Sequence, residues 1–184
     1  MQSGDIDDPR VWRLVCLDGG CQIENMGTYL DDLDELVRLL PVGSAALVTE
    51  AGHFGYGERC MHDMSFEPRT LAGGSPVRFW GNPFKHDQDI QIVYTGHVET
   101  AFIDRDGVVL TPAAAVARAE AYSYLLGGVT YRTPPSWSVW IDQVFPTGEG
   151  CVHRLVCDQG VALVRCGDLS HQWVPDWTSQ GPRG

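Results

Sequence analysis

With 184 residues, 43% of them hydrophobic and 20% charged, the chain can bury a substantial core, which argues against disorder along its whole length. Its net charge of −11 argues against a surface built to attract nucleic acid or anionic lipid, because a field of that sign repels phosphates. No stretch approaches the ~18 apolar residues of a membrane-spanning helix, and residues 1–9 carry acids where a secretory leader carries basic side chains. A cytoplasmic protein is therefore expected, with its six cysteines as reduced thiols.

Residues 1–10 read as a flexible polar leader. The apolar run 11–16, the turn Asp18-Gly19-Gly20 and residues 21–24 predict a β-hairpin. Over 29–40, Leu30, Leu33, Leu36, Val37 and Leu40 recur at helical spacing ahead of Pro41, which predicts the first of two main helices. Asp31, Asp32, Asp34 and Glu35 fill its polar side, and the helix dipole alone would favour each carboxylate there by about 0.3–1 kcal/mol. Residues 1–50 hold ten acids against three arginines, so this third carries −7 of the −11.

Between residues 43 and 107, β-forming runs at 45–50, 59–64, 77–80, 90–95 and 98–104 alternate with Gly- and Pro-bearing turns and predict a mostly antiparallel sheet. Thr111 as N-cap and Pro112 at the first helical position open a second helix, an Ala-rich run to residue 126 closed by Gly127-Gly128. Residues 137–145 alternate as a strand, and 151–157 with 161–166 form a hairpin across Asp158-Gln159-Gly160. Residues 173–184 read as a loosely ordered tail. The expected fold class is α+β: a single domain over 11–172, with two helices packed on a mostly antiparallel sheet. Val11-Trp12-Arg13-Leu14-Val15-Cys16 and Val152-His153-Arg154-Leu155-Val156-Cys157 match at five of six places, which suggests neighbouring strands facing one core.

Chemistry-bearing residues are present without a signature that organises them. Gly52-His53-Phe54-Gly55-Tyr56-Gly57 is not followed by the helix a phosphate cradle needs, so it reads as a glycine-rich loop. Asp104-Arg105-Asp106-Gly107 would place Phe102 and Ala113 at the outer ligand positions of a calcium loop, and both fail, leaving a turn. Cys151, His153 and Cys157 share a strand face, with Cys166 and His171 following and Cys60 and His62 elsewhere. Same-face strand residues are spread too far for a compact tetrahedral zinc site, so no metal and no cofactor are expected. Cys60 beside a histidine is the one nucleophile–base option, and no serine occupies a nucleophile elbow. The expectation is a protein that is not an enzyme; the alternative is a small enzyme or ligand-binding domain with a pocket around Tyr56, Cys60, His62 and Trp80. Trp137 and Trp140 point to opposite strand faces, with Trp140 expected in the core and Trp137 a candidate exposed anchor.

Several features in series carry a resemblance. These are the acidic helix Leu30-Asp31-Asp32-Leu33-Asp34-Glu35-Leu36, the strand 90–94 followed by Gly96, and the step Val109-Leu110-Thr111-Pro112 into an Ala-rich helix. Gly127 then ends that helix, and Pro134-Pro135 leads to Trp140. Over residues 29–140 this order resembles the bacterial immunity proteins that accompany deaminase-type polymorphic toxins, with a longer loop at 128–136 than those proteins carry. The resemblance implies an antitoxin that binds a cognate toxin domain, a nucleic-acid deaminase, and covers its substrate-binding surface. It implies a protein partner, with no nucleic acid and no membrane. Asp31, Asp32, Asp34, Glu35 and Trp137 are the expected contact residues, and Thr111, Pro112, Gly127 and Trp140 the structural signature.

Overall fold

Alternating apolar side chains put much of the chain into antiparallel strands, and the computed structural model describes residues 6, 8–11, 13–17, 20–50, 64–74, 76–81, 88–126 and 128–176. The first half runs β1 (Arg13–Leu17), β2 (Gly20–Glu24), α1 (Met26–Asp31), α2 (Leu33–Leu39), α3 (Val42–Glu50), β3 (Ser65–Phe66), α4 (Pro68–Ala72), β4 (Val77–Trp80) and β5 (Gln88–Thr95). The second half runs β6 (Glu99–Asp104), β7 (Val109–Leu110), α5 (Pro112–Ala117), β8 (Ser123–Leu126), β9 (Val129–Arg132), β10 (Trp137–Thr147), β11 (Gly150–Cys157), β12 (Gly160–Cys166) and β13 (Asp168–Pro175). Nine strands form one antiparallel sheet in the order β13-β5-β4-β3-β10-β11-β12-β6-β7, while β1-β2 and β8-β9 are separate hairpins. The fold class is α+β.

Strand β10 joins the two halves of the large sheet. It pairs with β3 at Trp137↔Phe66 and with β11 along its length, and a register shift between Val139 and Ile141 bends it. The halves consequently face one another: Tyr94 of β5 reaches His153 of β11, and the Gly167 amide donates to the Thr95 carbonyl at 2.9 Å. Between them lies the main core, which includes Phe66, Phe79, Ile92, Phe102, Leu155 and Val164. Trp137 sits at its centre with no exposed surface, edge-on to Phe66 and Phe102, its Nε1–H donating to the Ala115 carbonyl at 3.2 Å. A smaller cluster of Val11, Tyr29, Leu36, Ile141, Phe145 and Val156 covers the other side of β10 and β11.

Several expectations are corrected. The helix expected over 29–40 is two pieces, α1 and α2, broken at Asp32, whose φ −93° and ψ 3° leave the helical region. Residues 45–50, expected as a strand, form the end of α3, since Ala-Ala-Leu-Val suits either period and tertiary contacts decide. The second helix stops at Ala117 instead of 126: only Ala115 is buried, so no apolar stripe holds further turns, and Ser123–Leu126 turns into a hairpin strand. Two main helices thus become five segments among the described residues, none longer than nine residues. The expected tail from 173 is, as far as Pro175, strand β13 paired with β5, while 177–184 lie outside the described residues. The matching segments around Cys16 and Cys157 are not neighbours: β1 pairs only with β2, whereas β11 is central in the large sheet. Residues 59–63 of the strand expected at 59–64 lie outside the described residues. From the expected leader, Ile6 packs against the smaller cluster, and Gln143 donates to the Arg10 carbonyl.

Helix α3 is fixed at both ends to β13. At its start the Asp168 carboxylate accepts from the Gly43 and Ser44 amides at 3.0 and 2.9 Å and from the Ser44 hydroxyl at 2.7 Å, satisfying donors that a helix start leaves free. At its end Glu50 holds His171 Nε2 at 2.7 Å and Trp173 Nε1 at 3.1 Å. The approach is so close that a Cβ on Gly43 would lie 1.7 Å from the Leu169 carbonyl oxygen. A Gly43→Ala variant must therefore push α3 off β13, and urea unfolding should show a loss of about 1–3 kcal/mol or more. Gly27→Ala, in α1 where an added Cβ meets nothing within 4 Å, should be neutral or stabilising by up to about 1 kcal/mol.

Candidate functional site

The acidic side chains singled out in the sequence occupy the two short helices that follow the first hairpin. Asp31, Asp34 and Glu35 are exposed and Asp32 is half-buried. Among the described residues no cation lies within ion-pair distance of Asp31, Asp34 or Glu35, while Arg10, 2.7 Å from Asp8 and 3.8 Å from Asp32, also attracts Glu35 from further off. The helix dipole accounts for Asp34 and Glu35 in the first turn of α2, but Asp31 closes α1, where the dipole disfavours negative charge. Asp32 stands at the N-cap of α2 without capping it. The same stretch exposes Leu30, Leu39 and Val42, the last at 87%.

The two tryptophans depart from expectation, Trp137 lying in the main core and Trp140 packing, half-buried, against the smaller cluster. Trp137 is core, so it is not an exposed anchor; the bulge in β10 turns Trp140 toward the partly exposed side, with the Arg105 guanidinium 5.8 Å over its ring. Thr111 caps α5, its hydroxyl accepting from the Ala114 amide at 3.2 Å, with Pro112 opening the helix. Gly127 lies outside the described residues. So do Tyr56, Cys60 and His62, and Trp80 is 6% exposed. Asp104 closes the expected turn by accepting from the Asp106 and Val108 amides at 3.0 and 2.8 Å.

The inner face of the sheet gathers polar groups that the sequence did not connect. Tyr94 hydroxyl and His153 Nδ1 lie 2.8 Å apart, and His153 Nε2 and Asp142 Oδ2 are buried without a hydrogen-bond partner among the described residues. Burial holds the His153 imidazole neutral, with its pKa pushed down to about 3, and pushes the Asp142 carboxyl up to about 7. Cys151 and Cys166 are directly opposite on β11 and β12, with their sulfurs 3.5 Å apart, and the Cys151 sulfur is 3.0 Å from Ser44 Oγ. Hydrogen bonding with Cys166, then with Ser44, holds the Cys151 thiol below its ordinary pKa, whereas the same pairing and then burial push Cys166 well up. Both cysteines line a cavity of about 350 Å³ whose other walls include Arg165, His97 and Glu149. A three-residue turn, as expected from the sequence, hides this pairing; Gly160 in fact pairs with Cys157, which brings Cys166 level with Cys151. His171 is engaged by Glu50, and Cys157 is buried with its thiol donating to the Leu155 carbonyl.

No known protein family, curated protein or solved structure matches the chain.

The two buried titratable groups oppose each other in the pH dependence of stability. Between His153's ordinary 6.5 and its depressed value of about 3, only the unfolded chain takes up the proton, so its contribution weakens the fold as pH falls. Between Asp142's ordinary 3.8 and its raised value of about 7, the folded chain keeps a proton that the unfolded chain releases, so its contribution weakens the fold as pH rises. Across their overlap the two largely cancel. Asp142→Asn removes one side, and urea midpoints should show the variant losing about 2 kcal/mol relative to the parent between pH 6.5 and pH 5. A parent–variant gap that stays constant over that interval would mean that Asp142 ionises normally.

Proposed function

We propose that the chain is an immunity protein that acts as a single cytoplasmic domain. It neutralises a polymorphic toxin, a nucleic-acid deaminase, by covering the basic surface with which the toxin holds its substrate. The observation that carries this reading is the set of exposed carboxylates on Asp31, Asp34 and Glu35, none in a close ion pair among the described residues and interspersed with exposed Leu30, Leu39 and Val42. Apolar anchors inside a polar rim are the usual anatomy of a protein interface. Exposed acids outside close ion pairs suit a partner that must itself be positive to hold phosphates.

Helix stability accounts for Asp34 and Glu35 but not for the whole arrangement, since Asp31 ends a helix and Asp32 forms no cap. Leu39 and Val42 take the anchoring role first expected of Trp137, and the charges bring the partner in. A surface of this kind raises the association rate more than it slows dissociation, and a complex of ordinary size buries about 1,600 Å².

The test is association kinetics with the C-terminal domain of any toxin-like reading frame found next to the gene for this chain, using the triple variant Asp31→Asn, Asp34→Asn, Glu35→Gln. Association at low salt should slow by at least ~10-fold and its salt dependence should flatten. An unchanged rate and slope would remove this face from the interface, and no complex at micromolar concentration would remove the antitoxin reading itself.

A further inference from the structure

The pair Cys151 and Cys166 has no part in a partner-binding face on α1 and α2, and its placement calls for a chemistry of its own. Residues directly opposite on antiparallel strands have Cα atoms about 4.5–5.5 Å apart, inside the range of about 4.4–6.8 Å that a disulfide spans. The two sulfurs stand at 3.5 Å, so an approach of ~1.5 Å would bring them to bonding distance. Both face a cavity of about 350 Å³, although each is at most 5% exposed. Burial of this degree disfavours bulky oxidants and makes a peroxide of a few atoms the reagent that suits the site. Cys157, six residues along the same strand, is equally buried but bonds a backbone carbonyl instead of a thiol.

We propose that Cys151 and Cys166 are an oxidation site for small peroxides, closing reversibly into a disulfide that links β11 to β12. The Cys151 sulfur attacks one peroxide oxygen, the O–O bond breaks, and the other oxygen leaves as water with the thiol proton, giving a sulfenic acid. The Cys166 sulfur then attacks the Cys151 sulfur, the S–O bond breaks, and the hydroxyl leaves as a second water with the proton of Cys166. Two thiols and one peroxide become one disulfide and two waters: the sulfurs lose two electrons and the peroxide gains them. Ser44, bonded to both the Cys151 sulfur and the Asp168 carboxylate, orients the attacking group and is a positioning residue.

The experiment treats the folded full-length chain with hydrogen peroxide, alkylates the remaining thiols after denaturation, and maps the cysteines by peptide mass spectrometry. A peptide joining Cys151 to Cys166, lighter by two hydrogens and released by dithiothreitol, is the expected main product. The alkylatable fraction of both residues should fall by at least ~10-fold while that of Cys157 is unchanged. In a Cys166→Ser variant, Cys151 should accumulate as a sulfenic acid that a dimedone probe captures. The proposal is overturned if Cys151 and Cys166 stay as alkylatable as Cys157. It is equally overturned if Cys151 passes to sulfinic acid without the cross-link, or if the cross-links formed involve only Cys16, Cys21 or Cys60.

Discussion

One carboxylate organises much of this molecule. Asp168 begins the last strand, and its oxygens accept from the Gly43 and Ser44 amides, the Ser44 hydroxyl and the Leu169 amide. Burial is the largest single influence on it and favours the protonated form, but the hydrogen bonds together outweigh burial and hold its pKa below the ordinary value. Through this group α3 is seated on β13, α2 is positioned ahead of α3, and the Ser44 hydroxyl is delivered to the Cys151 sulfur. The acidic outer face and the inner dithiol, chemically unrelated, thus share one support.

Most of the sheet was legible in the sequence because its strands advertise themselves by alternation and by turn chemistry. The strands at 77–80, 90–95, 98–104, 137–145, 151–157 and 161–166 all emerge, as does the first hairpin with Cys16 opposite Cys21. The helices were less legible, for a physical reason. Short helices owe little to propensity, and what seats α3 is a carboxylate more than a hundred residues away in the chain, which no local window contains. The run at 113–126 has the composition of a helix but lacks an apolar stripe, so the packing that sustains a longer one is missing.

Side-chain placement followed the same division. The acids at 31, 34 and 35 face solvent, as their helical spacing requires. The tryptophans were misassigned because one extra residue in β10 reverses which face Trp140 presents, and a bulge leaves no mark in composition. The meeting of Tyr94 with His153 and of Cys151 with Ser44 depends on two halves of a sheet closing on each other, a relation between distant segments that spacing along the chain does not encode.

Closure of that kind also sets an order of events. Strand β12 runs directly into β13 through Gly167, yet β13 does not pair with β12; it crosses to β5, laid down some seventy residues earlier, with Asp168 opposite Thr95. During synthesis α3 emerges long before the residue that holds its amino end, and β5 before the strand that covers its free edge. Until residues 168–175 have left the ribosome, the β5 edge and the amino end of α3 lack the partners they have in the finished fold, after which β13 forms the outer edge in place of β5. The step that seats β13 therefore completes two distant parts of the fold at once, the cap of α3 and the pairing of β5.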